Sequence, residues 1–359
     1  MRNDTGDTTD TATRAAPFDM WRIIRSVAHR LADDDVALPV EGHLAPFDGA
    51  TGWLNSEPLT PAGLRGRVVL VDFWTYTCVN WLRTLPYVRA WDAKYRDHGL
   101  TIVGVHTPEF RFERDVDNVT RETRNFRVEY PVAIDSDYGV WKAFANHFWP
   151  AVYIADAEGR IRYHHFGEGE YPMTEMVIQQ LLLDASAEGT DRDLVMVEPT
   201  GLEVAADWRT LQTPETYVGY RQSNGFAQEV AARFDESHAY AAPATLPLNA
   251  WGLSGTWTVA GHAAVLDAGG GRISFRFHAR DVNLVMGPPA SGVPIPFRVL
   301  LDGQLAEDAN GTDVQLDGSG VVGDQRTYQL IRQRGPISDR TLEIEFLVAG
   351  VEAYCFTFG

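Results

Sequence analysis

The residues with the strongest claim to chemistry stand at the end of one apolar run. In VDFWTYTCVNW, Cys78 comes just after the strand-like segment Val68–Trp74 and opens a helical stretch. A sulfur at a helix amino terminus meets unpaired backbone N–H groups and the positive end of the helix dipole, and both favour the thiolate. The thiolate is a nucleophile at neutral pH. Asp72, six residues earlier in the same apolar strand, points into the domain, where burial raises a carboxyl pKa and fits it to exchange protons with a neighbouring sulfur. A single cysteine on an apolar element is more often inert core; its place between a strand and a helix lifts Cys78 above that reading.

Other polar groups say less. His106 and Glu109 follow the carboxyl end of a strand, the edge where open α/β sheets place their sites, and are candidates to line the thiol's pocket, although a satisfied loop histidine is the plainer account. Cys355 lies in an alternating strand, YCFTF, where packing is the ordinary explanation, and bridging it to Cys78 would require Cα atoms within ~7 Å. His164 and His165 are neighbours on a strand and point to opposite faces, which argues against a two-ligand metal site. Glu168 and Glu170 in FGEGEY read as a solvated turn. Trp251 and Trp257 flank short strands and fit a sandwich core better than a sugar-stacking platform. No metal and no cofactor is expected.

These residues need a scaffold. Strands are predicted over 68–74, 101–105 and 130–134, with a hairpin over 151–154 and 161–166; helices are predicted over 79–95, 115–127, 138–147 and 174–184. Alternating strands and helices point to a largely parallel, centrally buried sheet, with the hairpin adding antiparallel edge strands. Beyond a polar stretch at 187–212, short β-rich runs separated by turn residues continue to the end and fit an antiparallel sandwich or jelly roll. The predicted organisation is a tail with a short amphipathic helix at 1–38, built on Met20, Ile24, Val27 and Leu31; an α/β domain at 39–190; a linker at 191–212; and a β-sandwich at 213–359.

Length and composition agree with this division. The chain has 359 residues, more than one core usually organises, and it is 45% hydrophobic and 22% charged, which excludes disordered and fibrous classes. Its 31 basic and 49 acidic residues give a net charge of −18, a field that repels nucleic acid and anionic lipid. Two cysteines are too few for a disulfide scaffold or a thiolate zinc site. With no apolar run near the length of a membrane span and no secretory signal, the expected compartment is the cytoplasm.

Several motifs then point to a family. Asp72-Phe73-Trp74, Cys78 and a helix with Pro86 resemble the thioredoxin active-site segment. The longer WTYTCVNWLRTLPYVRAW, with GVHTPEF, FWPAVYIADAEG and FGEGEY, is similar to the TlpA-like thioredoxin domain of DipZ-type proteins, which are associated with cytochrome c biogenesis. TPETYVGY and the closing LEIEFLVAGVEAYCFTFG resemble the family's carbohydrate-binding-module-like carboxy-terminal domain. The resemblance covers residues 39–359. It implies an α/β thioredoxin-like domain followed by an all-β domain, a cis-proline turn at Trp149-Pro150 facing the thiol, and a peptide groove. Around Cys78, Asp72 and Pro150, that groove would be lined by Trp74, Thr75, Thr77, Asn80, Trp81, His106, Glu109 and Trp149. Relatives of this type usually work outside the cytoplasm.

The departure from the family's C-x-x-C is equally informative. Here the motif reads Cys78-Val79-Asn80-Trp81, so an indole replaces the resolving thiol that would release a mixed disulfide from within the molecule. Three outcomes remain open: a monothiol resolved by a small thiol, a peroxidatic thiol, or a site without redox turnover that serves as a binding surface. Thr75 stands three residues before the cysteine, as in peroxiredoxins, but the proline expected before it is absent. The expected partners are a protein or low-molecular-weight thiol, with a glycan as a candidate ligand of the β domain.

Overall fold

The computed structural model describes residues 38–185, 191–228 and 233–359. The amphipathic helix expected at 20–31 lies outside them. Among the described residues, the α/β half is built on seven strands: β1 (Gly42–His43), β2 (Gly52–Leu54), β3 (Val68–Trp74), β4 (Leu100–His106), β5 (Val132–Ile134), β6 (Ala151–Ala155) and β7 (Arg160–Phe166). Their order is β1-β7-β6-β3-β4-β5-β2, and four helices accompany them: α1 (Val79–Tyr95), α2 (Val116–Asn125), α3 (Gly139–Ala143) and α4 (Tyr171–Asp184). All seven residues of VVLVDFW are buried, which is why β3 takes the centre.

The expected largely parallel sheet is corrected. Only β3 with β4 and β4 with β5 run parallel, and β6 lies antiparallel to β3 at the heart of the sheet rather than at its edge. The connection explains this. The chain reaches β6 through the Trp149–Pro150 turn, and Ala151 pairs with Phe73, so β6 starts where β3 ends and must run back along it. Helix α3 is also shorter than the predicted 138–147. Asp135 accepts from the Val140 and Trp141 amides at 2.9 and 2.8 Å to start it, and Ala145, at φ +49°, ends it.

Among the described residues, the β half has eleven strands: β8 (Thr216–Tyr217), β9 (His238–Tyr240), β10 (Trp251–Val259), β11 (Ala264–Leu266), β12 (Gly271–Phe277), β13 (Asp281–Gly287), β14 (Ile295–Leu301), β15 (Ser319–Val322), β16 (Arg326–Arg332), β17 (Arg340–Phe346) and β18 (Glu352–Phe358). All their pairings are antiparallel. Strand β10 belongs to two layers, pairing with β12 over 251–254 and with β9 and β11 beyond. It turns between them at Gly255, whose φ of +98° favours glycine and where a Cβ would lie 2.9 Å from the Gly271 Cα. Trp251 and Trp257 are fully buried between the layers and donate their indole N–H groups to the Asn224 and Ser254 carbonyls, both at 2.9 Å. They are core residues and offer no stacking platform.

Candidate functional site

Cys78 caps helix α1 in extended conformation and is half-buried, while its neighbours Thr77 and Val79 are buried. Its amide donates to the Thr75 carbonyl at 3.1 Å and its carbonyl accepts from Leu82 at 3.0 Å, which fixes the turn from β3 into the helix. The Asn80 and Trp81 amides face the sulfur and favour its charged form, as the helix-end argument predicts. Burial outweighs them, and the Glu109 carboxylate adds to it, so the thiol is pushed well up. The expectation of a thiolate at rest is therefore corrected: Cys78 is held protonated.

Behind the sulfur, the residue standing where the family has its second cysteine has a defined task. The Trp81 indole donates to Asp72 Oδ2 at 2.9 Å and stacks on Trp74 with ring centroids 4.2 Å apart. Asp72 is fully buried, and burial raises its carboxyl to about 7 against the pull of the Trp81 donor. Gly104 makes room for this stack, because a Cβ there would lie 2.9 Å from the Trp74 indole nitrogen and 3.0 Å from the Tyr130 ring. His106 sits edge-on to Trp74 at 4.8 Å and flat against Tyr76 at 5.7 Å. Burial lowers His106 to about 3, so it is neutral.

Pro150, joined to Trp149 by a cis peptide bond, follows on from the Phe73–Ala151 pair and so lies at the end of β3 from which Cys78 departs. Its carbonyl accepts from Gly167 at 2.8 Å. Trp149 packs on Trp141 at 4.3 Å and donates to the Thr107 carbonyl at 3.1 Å. On the same edge, Phe148 and Phe166 are 50% and 40% exposed with ring centroids 4.9 Å apart. Among the residues expected to line a groove, Trp74, Thr75, Thr77, Trp81 and His106 are buried and form packing behind the sulfur; Asn80, Glu109 and Trp149 retain exposure. The groove expectation is corrected to that extent: only the second set is open to solvent.

The β half closes the other side of the thiol. Thr327 Oγ1 donates to the Thr77 carbonyl at 2.7 Å, and the Tyr217 hydroxyl donates to Glu109. Glu113, fully buried, accepts from the Thr77 hydroxyl at 2.6 Å and from the Glu109 and Phe110 amides at 2.7 and 2.8 Å, pinning the loop that carries Glu109. Glu109 itself is pushed up to about 8 by burial, with Glu113 and Glu215 adding to the effect. Farther along α1, Arg83 forms a buried pair with Glu168 at 2.9 Å and donates to the Phe358 carbonyl at 3.1 Å. Cys355 is buried in a cluster with Phe110, Val285 and Tyr354, and both cysteines are free thiols.

Sequence reasoning missed Glu113, Glu215, Tyr217 and Thr327 as neighbours of the thiol. Tyr217 and Glu215 stand inside TPETYVGY, a motif that drew attention by resemblance alone; no spacing rule connects it to a loop more than a hundred residues earlier. Among the described residues, no group of three or more His, Cys, Asp or Glu is placed to hold a metal ion, and no helix is long and apolar enough to cross a membrane.

Comparison with known proteins places these features. Residues 213–359 match the family described as the thioredoxin-like C-terminal domain. The chain is 34% identical to DipZ of Mycobacterium tuberculosis over 323 residues, covering 89% of this chain and 43% of DipZ, and DipZ of Mycobacterium bovis matches equally. The chain thus spans less than half the length of these relatives. The thiol-disulfide oxidoreductase YkuV of Bacillus subtilis is 27% identical over 136 residues, covering 38% of this chain and 91% of YkuV. Among solved structures, a thioredoxin-like protein in its oxidised form aligns at a TM-score of 0.37 and 28% identity, covering 40% of this chain and 97% of that one. The α/β half is thioredoxin-like, and the chain resembles the DipZ proteins across both halves.

Proposed function

We propose that this chain carries out single-thiol exchange at Cys78 on a protein or small-thiol substrate. The observation that carries the reading is Trp81: it fills the resolving position and commits its N–H to Asp72, leaving one half-exposed sulfur at the helix end. In the forward step the Cys78 thiolate attacks one sulfur of a disulfide RSSR, forming Cys78–S–S–R and releasing RS⁻, which takes up the proton Cys78 gave up. A second thiol R′SH then attacks the R sulfur, giving RSSR′ and restoring the Cys78 thiol. The exposed Phe148–Phe166 pair beside the cis-proline turn supports a protein substrate, because apolar rings there can pack on a docked chain. A peroxide would use the same sulfur and leave a sulfenate; the oxidoreductase relatives favour disulfide exchange.

The decisive experiment incubates the protein with a small symmetrical disulfide and follows its mass. A mixed disulfide should accumulate, clear when a free thiol is added, and be missing in Cys78→Ser. Equal uptake by both proteins would sink the proposal.

The burial around Cys78, which pushes its thiol up, favours a second reading, a binding module without turnover. For that reading the β half offers a polar cleft of about 480 Å³, lined by Ser254, Arg272, Ser274, Arg276, Thr341 and Glu343, whose hydroxyls and charged groups suit a glycan or another polyhydroxylated ligand.

A further inference from the structure

The join between the two halves has a regular geometry at the thiol. Thr327 pairs with Val285, Val285 with Cys355, and Cys355 with Tyr217. Residues directly opposite in antiparallel strands project to the same face, so these four side chains form one row across β16, β13, β18 and β8. Both ends of that row touch residues that flank Cys78: Thr327 bonds the Thr77 carbonyl, and Tyr217 bonds the Glu109 carboxylate. The two bonds differ in kind. One joins a hydroxyl to a backbone carbonyl and carries no charge, whereas the other orients a titratable group.

Glu109 has few other constraints on its head group. Its backbone is fixed through Glu113, but among the described residues its carboxylate has no hydrogen-bond partner besides Tyr217, and neither Glu109 nor Glu215 forms an ion pair there. The titratable groups facing Glu109 are Glu113 on its own loop, Cys78 on the α1 turn, Tyr138 before α3, and Glu215, Tyr217 and Cys355 from the β half. After burial, Glu109 is the largest influence on the Cys78 thiol. A carboxylate that swung away into solvent would be screened and would lose that influence.

We propose that Tyr217, supplied by the β half, is a positioning residue for Cys78: by holding Glu109 against the α1 turn it sets the resting reactivity of the sulfur. This rests on Cys78 being the working thiol, and it makes the β half part of the site. Releasing the Tyr217–Glu109 bond, by substitution or by a ligand that takes Tyr217 for itself, frees the sulfur to ionise.

The test is the pH profile of Cys78 alkylation by iodoacetamide in full-length protein, read by peptide mass. It compares the native chain with Glu109→Gln, Tyr217→Phe, the double variant and Thr327→Val. Glu109→Gln should raise the rate about fivefold at pH 9, approaching the tenfold of one pKa unit at higher pH, and should change it little at pH 7, where Glu109 itself holds a proton. Tyr217→Phe should shift the profile in the same direction by a smaller factor. The double variant should match Glu109→Gln alone, because Tyr217 acts through Glu109. Thr327→Val, which removes the uncharged bond in the same row, should leave the profile in place. Additive effects in the double variant, no shift in Tyr217→Phe, or an equal shift in Thr327→Val would overturn the proposal. Should Tyr217→Phe unfold, Glu109→Gln alone decides, since a rate unchanged from native at pH 9 removes the carboxylate from the account. Alkylation needs no turnover, so failure of disulfide exchange would count against the function without touching this inference.

Discussion

Cys78 and Cys355 approach the same two carboxylates from opposite sides of the join between the halves. Burial raises both thiols, and Glu109 and Glu215 raise both further. They differ in access. Cys78 is half-buried on a turn, with two helix amides facing its sulfur, whereas Cys355 is 2% exposed within β18, where its Sγ meets its neighbour's carbonyl at 3.5 Å, the Thr216 amide and Glu215. The comparison teaches that acidity at rest does not mark the reactive cysteine in this molecule. Reach does, together with whatever lifts the carboxylates away.

The sharpest way to break the comparison is competitive labelling of the native protein with iodoacetamide at pH 9. Cys355 can react only when β18 opens, which for a core strand costs close to the global stability, so Cys78 should label faster by a factor on the order of a thousand or more. Comparable rates would show that the join opens easily and that the two sulfurs are equivalent. The Cys78 rate should also climb with no plateau below pH 9, roughly tenfold per pH unit below pH 7 and less steeply from pH 7 to 9, where Glu109 ionises and opposes the thiolate.

A second difference lies behind the sulfurs. The α/β half holds a fully buried acid, Asp72, bonded by Trp81 three residues after Cys78, whereas the acid that meets Cys355 is Glu215, just before β8. Asp72 ionises at about 7 in the fold against an ordinary 3.8, so the folded chain keeps a proton that the unfolded chain has lost between those values. Stability should therefore fall as pH rises from about 4 to 7. Asp72→Asn, which keeps an acceptor for Trp81 and carries no charge, should remove that part of the slope and be more stable than native above pH 7. The gain is about 2–4 kcal/mol at most, read by urea denaturation at pH 5 and pH 8. Glu109 contributes a slope of the same sign up to about pH 8, which the variant should retain.

The sequence made some of this legible and hid the rest for identifiable reasons. The nearly continuous apolar run VVLVDFW read as a strand through its β-branched residues and the Gly66 before it, and Cys78 after it as the start of a helix, so the position of the sulfur followed from local pattern. The direction of β6 did not, since periodicity carries no information on strand polarity and the turn at Trp149–Pro150 decides it. The ionisation of Cys78 was misread because the favourable helix amides are local, while the burial and the Glu109 carboxylate that defeat them come from a distant loop pinned by Glu113 and Tyr217. Trp81 was recognisable as a missing thiol, but its bond to Asp72 depended on a fold in which residues nine apart meet across a strand and a helix.

Two smaller substitutions sharpen the contrast between the charged and uncharged supports of Cys78. Trp81→Phe keeps the stack on Trp74 and removes the donor to Asp72 Oδ2, leaving a buried acceptor bare at a cost of about 1–3 kcal/mol. Because that donor favours the ionised carboxyl, its loss should raise Asp72 further and cost more at pH 8 than at pH 5. An equal cost at both would mean that the bond supports packing alone. Thr327→Val should cost about 1 kcal/mol at either pH, since neither its hydroxyl nor the Thr77 carbonyl titrates. If that variant proved as pH-dependent as Trp81→Phe, the whole join, and not the Asp72–Trp81 pair, would be what responds to protons around Cys78.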